Sequence, residues 1–444
     1  MHLPQIEHSQ SNMTLSGQAE AVEPRDRGYI LRIARLIGWL VIGAILVWRI
    51  VVMGMAEYYA REAPEEALAW EARHSLALRN QGERLLAGAP ERATQLLQES
   101  LWQNPADGRT YALLALLRER AGNVDAARQL MERASLLAPR LWPVQLEIAA
   151  FWLRQRELER AVQSWDTALQ MQRALSKEIF PALLGIAEYP SLRPVLHPLA
   201  QSAPAWWPAF FTYAAVNTAQ LETLRDLYHA AGETTATTEE RRAFISRLQR
   251  EGHWLEAYFT WLNALDEAAL QGLGNLFNGH FEQPLSNGGF GWHFKRPRGV
   301  EINTAPTYGM EGKRALRVAF LGQRVRFQHL SQPLLLPPGR YQMEGNVRLD
   351  NLETTKGLRW VVSCLTPAQP RLAASEYFVG ASLWRRFNFS FDVPKEECAA
   401  QLLRLELEGR APADFEARGV AWFDSLAIGR ITESTLARNS APSD

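Results

Sequence analysis

Six residues in two stretches of the C-terminal third are of types that can hold a polyhydroxylated ligand. Glu344, Asn346 and Arg348 alternate with Met343, Gly345 and Val347, and Trp384, Arg386 and Asn388 take every second position of another run. In extended backbone each triplet therefore falls on one face. An indole is a flat apolar platform for a sugar ring, and carboxylate, amide and guanidinium groups supply the hydrogen bonds its hydroxyls need. Arg348 and Arg386 add the option of a forked grip on an anionic substituent such as a uronic carboxylate. The competing reading is an ordinary solvated sheet face.

Catalytic chemistry has no comparable signal. There is no Gly-rich phosphate loop, no Gly-x-Ser-x-Gly and no His-Glu-x-x-His, and the 9 histidines show no metal-ligand spacing. The expectation is a protein that is not an enzyme. The 2 cysteines, Cys364 and Cys398, lie in the same C-terminal region. They are either a disulfide or, since Cys364 follows Leu358, Trp360 and Val362 on an inward face, two buried thiols.

The elements that must position these residues are short strands. Beyond Gly272 and Gly274 the chain is rich in Gly, Pro and Asn and runs in short alternations: Val325, Phe327 and His329; Tyr341 to Leu349; Phe387, Phe389 and Phe391; Leu403, Leu405 and Leu407. This predicts an all-β sandwich over 273–432 in which each strand has a core face and a wet face. Three stretches, Asn275-Leu276-Phe277-Asn278-Gly279-His280-Phe281-Glu282, Gly291-Trp292 and Trp422-Phe423-Asp424-Ser425-Leu426, are in the order found in galactose-binding-like jelly rolls, as are Ala315 to Val318 and Pro338 to Tyr341 between them. The region resembles that family, which includes many carbohydrate-binding modules. The resemblance implies first and last strands side by side and a structural calcium with Glu282 and Asp424 as carboxylate ligands and backbone carbonyls completing the shell. His280 stands where the family more often has Asp or a small residue, and the alternative is that Glu282 and Asp424 simply cap loops.

From 60 to 270 the pattern is amphipathic helix throughout. Ala93, Ala127 and Ala161 share a spacing that recurs in Leu97, Met131 and Trp165, in Ser100, Ala134 and Ala168, and in Pro105 and Pro139, with Gly88 and Gly122 at the turns. A fixed period of this length means stacked helix pairs, small residues letting two helices approach and large ones filling the gap. The pattern resembles the tetratricopeptide repeat, most closely from Gly108 to Leu141, with flanking copies over 74–107 and 142–175 and an out-of-phase copy over 238–271. The resemblance implies a solenoid that binds partner proteins. Trp165, Trp254 and Trp261 fall at packing positions. Trp206 and Trp207 lie outside the register, in the proline-rich stretch 176–237, where an exposed aromatic pair would be a partner contact.

Leu36 to Met55 is apolar but for Arg49 and long enough to cross a bilayer. Arg25, Arg27, Arg32 and Arg35 precede it and Glu57, Glu62, Glu65 and Glu66 follow, which by the positive-inside rule puts the N-terminus in the cytoplasm. A cleaved signal peptide is the alternative, disfavoured by the long polar lead and the poor site at Gly54-Met55-Ala56. The domain expectation is a disordered cytoplasmic tail (1–28), a transmembrane anchor (29–57), a helical solenoid (60–270), a jelly roll (273–432) and a disordered tail (433–444). The 444 residues carry 48 basic and 48 acidic side chains, so no basic excess points to nucleic acid. The function expected is a non-catalytic scaffold on the periplasmic side of a bacterial inner membrane, its solenoid holding other envelope proteins and its jelly roll touching glycan, in synthesis or export of a surface polysaccharide. The alternative is an assembly factor whose jelly roll binds no sugar.

Overall fold

A computed structural model describes residues 26–232, 235–309 and 312–431. The expected C-terminal tail lies outside them, as does the expected N-terminal tail apart from its last three residues, which begin the first helix. Fifteen α-helices occupy the N-terminal part and two antiparallel five-stranded sheets the C-terminal part. The chain divides into two compact units, 1–151 and 152–444.

In the first unit, α1 (Asp26–Tyr59) is one uninterrupted helix, and its stretch Leu31–Tyr59, within which an 18-residue window has mean hydropathy 2.4, is long and apolar enough to cross a membrane. The helices α2 (Pro64–Trp70), α3 (Ser75–Arg84), α4 (Pro90–Gln103), α5 (Gly108–Arg120), α6 (Val124–Leu137) and the first part of α7 (Trp142–Arg154) follow, joined by short turns. The period found in the sequence coincides with the pairing α3/α4 and α5/α6. Ala93 and Ala127 are fully buried, with Leu97 and Met131 buried one turn on. Asp107 and Asn123 cap α5 and α6 by accepting from the N–H groups of Arg109 and Ala126, and Gly122 supplies the positive φ of the intervening turn. Pro105 and Pro139 stand two residues beyond the ends of α4 and α6, where a helix cannot resume.

The second unit contains α8 (Leu158–Met171), α9 (Ser176–Glu188), α10 (His197–Ser202), α11 (Trp207–Asn217), α12 (Leu221–Ala231), α13 (Thr238–Arg250), α14 (Trp254–Leu262), α15 (Glu267–Gln271) and the sandwich. Several prolines of 176–237 start helices rather than break them: Pro198 and Pro208 occupy the first turns of α10 and α11, where no N–H is needed. Trp206 and Trp207 are not an exposed pair. Both are buried, Trp206 against Phe180 and Phe210 with its indole N–H donating to Asp166 at 2.8 Å. Burying that much aromatic area outweighs leaving it for a partner.

The strands are β1 (His293–Phe294), β2 (Val300–Pro306), β3 (Arg314–Arg324), β4 (Leu330–Leu334), β5 (Gly339–Thr354), β6 (Leu358–Cys364), β7 (Arg371–Ala374), β8 (Gly380–Val393), β9 (Gln401–Leu407) and β10 (Glu416–Arg430). They form sheets of order β1-β4-β9-β6-β7 and β2-β3-β10-β5-β8. Between them lies a core that includes Trp292, Tyr341, Trp360, Phe378, Phe387 and Phe423. Val325 to His329, read in the sequence as alternating, are not a strand. Phe327 is buried, but the segment's backbone hydrogen bonds go to Phe415 and Leu407 in a connection between the sheets. Cys364, at the end of β6, is disulfide-bonded to Cys398 in the β8–β9 loop. The segment 275–280 runs beside the end of β10, with Leu426 N–H donating to Gly279 O at 2.9 Å and the Asn275 amide to Ile428 O at 2.9 Å.

Candidate functional site

The period-two alternation of β5 buries Tyr341, Met343, Gly345, Val347 and Leu349 and turns Glu344, Asn346 and Arg348 outward. Register places Arg386 of β8 opposite Asn346, and Asn388 opposite Glu344. An irregularity beyond Val347 then lets Trp384 come beside Arg348. All six residues singled out in the sequence thus share the outer face of the sheet β2-β3-β10-β5-β8.

The centre of that face is a residue assigned in the sequence only to the closing motif. Trp422 of β10 pairs with Arg348 on one side and with Arg317 of β3 on the other. The Arg348 guanidinium lies 4.5 Å from the Trp422 ring centre and 5.5 Å from that of Trp384, one cation between two indoles. Asp350 ties the group together, accepting from the Trp422 indole N–H at 2.7 Å and from Arg348 at 3.2 Å. Trp384 donates its indole N–H to the carbonyl of Tyr308 at 2.9 Å, and Thr307 accepts from Arg348 at 3.4 Å, so the β2–β3 loop is fastened over this end of the sheet.

Charge on the face is balanced locally. Arg317 pairs with Glu301 at 2.9 Å, Arg386 with Glu344 at 3.0 Å and Arg348 with Asp350. Arg348 and Arg386, expected to make a forked grip on an anionic substituent, each already pair with a carboxylate of the face. From Val420 and Ala319, paired across β10 and β3, the face continues into an open trough of about 1200 Å³ lined by Arg317, Asn351, Glu353 and Arg418. An open polar trough next along β10 from Trp422 suits a hydroxyl-rich ligand.

Glu282 and Asp424 lie at the other end. Asp424, opposite Asn346, is fully buried; one carboxylate oxygen accepts from Ser425 N–H at 2.6 Å and the other has no partner. Burial pushes its carboxyl up to about 6, with Glu282 raising it further and His280 opposing. Glu282 accepts from the backbone N–H groups of Lys313 and Arg314 at 2.7 and 3.0 Å, which fixes the start of β3. The orphaned oxygen of Asp424 is what a cation would satisfy. Among the described residues no three His, Cys, Asp or Glu side chains converge on one point, so an ion there would draw most of its oxygens from backbone or water.

No protein-family model matches the sequence, and no curated protein is significantly similar to it. Solved structures similar over about 35% of the chain include carbohydrate-binding modules and, over part of their own length, an α-L-arabinofuranosidase and a bacteriophage tailspike domain. One, described as "CBM4 structure and function", covers 35% of this chain and 99% of its own at 12% identity and a TM-score of 0.27. The CBM22-1 xylan-binding domain of Paenibacillus barcinonensis Xyn10C covers 35% of this chain and 92% of its own at 15% identity and a TM-score of 0.25. TmCBM61 in complex with β-1,4-galactotriose covers 36% and 100% at 18% identity and a TM-score of 0.25.

Proposed function

We propose that the sandwich binds a glycan along the outer face of β2-β3-β10-β5-β8, and that the chain is a non-catalytic, membrane-anchored scaffold presenting this face beside partner proteins. The observation that carries the reading is the Trp422–Arg348–Trp384 stack at the edge of a polar trough. The half-buried Trp384 offers apolar ring surface, the buried Trp422 supports Arg348 from beneath, and hydrogen-bonding groups surround them on one rigid sheet. Because Arg317, Arg348 and Arg386 each already have a carboxylate, the ligand favoured at the stack is a neutral polysaccharide rather than a uronic one. Affinity is modest, since an open face leaves much of a sugar hydrated.

The helical part is read as tetratricopeptide-like, a surface for other envelope proteins. The anchor is read as permanent, with the N-terminus cytoplasmic and the rest periplasmic. In support, the last turns of α1 are part of the fold: Val52, Ala56 and Ala60 are buried, and α2 and α3 lie against the helix. Cleavage near Met55 would remove part of that core. Synthesis or export of a surface polysaccharide is the setting that joins the three parts. Glu282 and Asp424 are the carboxylates that would hold a structural calcium.

The test is titration of the detergent-solubilised full chain with neutral and uronic polysaccharides, beside Trp422→Ala. Binding of a neutral glycan by the wild type and its loss in the variant support the reading. Equal inertness of both sinks it and leaves the second reading, a docking module without sugar, which the Trp384 indole's bond to Tyr308 O and the Arg348–Asp350 pair favour.

A further inference from the structure

The first helices of the chain meet at a turn whose position follows from the hydrogen bonds. After α1 ends at Tyr59, the N–H of Ala63 donates to Tyr59 O at 2.9 Å and the chain reverses into α2. α2 descends antiparallel to α1, because at its far end Glu71 pairs with Arg49 at 2.5 Å. The chain then turns and climbs again as α3. His74 meets Glu57 at 3.1 Å, Asn80 donates to Ala60 O at 2.7 Å and Arg84 to Glu62 O at 2.6 Å. The lowest point of this descent is the turn Trp70–Arg73, level with Arg49 and about 15 Å back along α1 from Tyr59.

That level is decided by the length of the apolar span. The uncharged stretch from Leu36 to Trp48 covers only about 20 Å, against the ~30 Å of a hydrocarbon core. A bilayer around α1 therefore has Arg35 and Arg49 at its two interfaces, each reaching out to the headgroups. The side chains agree: Ile50, Val51 and Met53 stay exposed while Val52 and Ala56 turn inward to the fold. At the same height Trp70 is 40% exposed, beside the exposed Ala72 and Arg73.

We propose that the α2–α3 turn, through Trp70, Ala72 and Arg73, is a membrane-contact foot that enters the headgroup layer of a phospholipid bilayer beside α1. This rests on the reading of α1 as an anchor. An indole at that depth has its apolar body in the acyl boundary and its N–H among headgroups, and Arg73 faces phosphate. Glu71 neutralises Arg49 where an unpaired guanidinium would be costly. The foot also fixes the first unit against the membrane, since no flexible linker separates α1 from α2.

The native cysteines are disulfide-bonded, so a single introduced cysteine can be spin-labelled in the full chain. The protein is reconstituted into vesicles of phosphatidylethanolamine with a minority of phosphatidylglycerol. Collision rates with oxygen and with a water-soluble nickel chelate are compared for labels from Trp70→Cys, Ala72→Cys, Trp39→Cys within the span, and Asp125→Cys on the exposed first turn of α6. Labels at 70 and 72 are expected to show oxygen-to-nickel ratios several-fold above that at 125 and below that at 39. A lipid-like ratio at 39 with ratios at 70 and 72 equal to that at 125 overturns the foot and leaves the anchor. A water-like ratio at 39 overturns the anchor itself. Ala72→Cys, at an exposed small residue, carries the test should Trp70→Cys fail to fold.

Discussion

Arg348 lies over Trp422, its guanidinium 4.5 Å from the ring centre, and the two residues are direct cross-strand partners in β5 and β10. Both are held by Asp350, which accepts from each. The stack is thus held in place by groups of the sandwich itself. Arg348→Ala removes the group between two indoles and leaves Asp350 with one donor fewer. The expected loss is about 1–2 kcal/mol of sandwich stability, read as a lower melting temperature, whereas Arg386→Ala at the exposed rim is expected to cost under about 0.5 kcal/mol. Equal effects of the two would place the stack outside the stabilising core of the face.

A cation at Asp424 would satisfy its buried, unpartnered oxygen. Calcium is expected to raise the melting temperature of the wild type and a chelator to reverse it. Asp424→Asn, which keeps the shape but loses the charge, is expected to melt at a temperature independent of calcium. A wild type indifferent to calcium and chelator alike removes the metal from the account.

Glu147 of α7 gives the first unit a pH dependence. Burial pushes its carboxyl up to about 7, with Arg109 opposing and Glu83 adding to the rise. A folded value above the unfolded one favours the protonated form. The contribution is therefore full below the unfolded value near 4.5 and is lost as pH rises through about 7. The helical unit is expected to gain on the order of 2 kcal/mol between pH 8 and pH 5 from this group. Glu147→Gln, which fixes the neutral form, is expected to flatten the profile; a profile unchanged by that substitution assigns the dependence elsewhere.

The disulfide closes a loop between residues 34 apart in sequence. In the chain-entropy model that restraint on the unfolded chain stabilises by roughly 3–4 kcal/mol. Reduction, or Cys364→Ser with Cys398→Ser, is expected to lower the melting temperature of the sandwich.

How much of this was legible in the sequence depends on how local the cause is. The outward set Glu344, Asn346 and Arg348 was readable because β5 keeps strict alternation along the stretch that matters. Trp422 was not, because β10 breaks its alternation just beyond it. The pairing with β5 shifts between Asp424 and Ala427, and Ser425 takes a positive φ, so counting by twos gives no consistent face. Trp206 and Trp207, for which both core packing and a partner contact stood open in the sequence, were undecidable for the opposite reason. No local pattern covers them, and their burial is decided by Phe180 of α9 and Asp166 of α8, remote in sequence. The trough was invisible as well, since it is built from the ends of β3, β5 and β10.

The boundary between helices and sandwich, expected at 273, is a packed junction rather than a linker. Trp261 of α14 meets Phe277 at 5.1 Å, Phe290 at 5.7 Å and Tyr258 at 5.7 Å between ring centres. Gln249 of α13 donates to the carbonyl of Gly289 at 3.2 Å. Gly289 itself has φ +58°, and a Cβ there would stand 2.0 Å from the Trp261 ring. Gly289→Ala must therefore bear a left-handed backbone and displace a buried indole, at a combined cost of about 2–4 kcal/mol. Gly274→Ala, where a Cβ meets nothing nearer than 3.6 Å, serves as the mild control. A piece starting at 273 leaves Phe277 and Phe290 without their cover, so one starting at 235, with α13 to α15 retained, is expected to be the more soluble and the higher melting. Equal behaviour of the two pieces, with Gly289→Ala as stable as Gly274→Ala, would show that the junction contributes nothing to the stability of the sandwich.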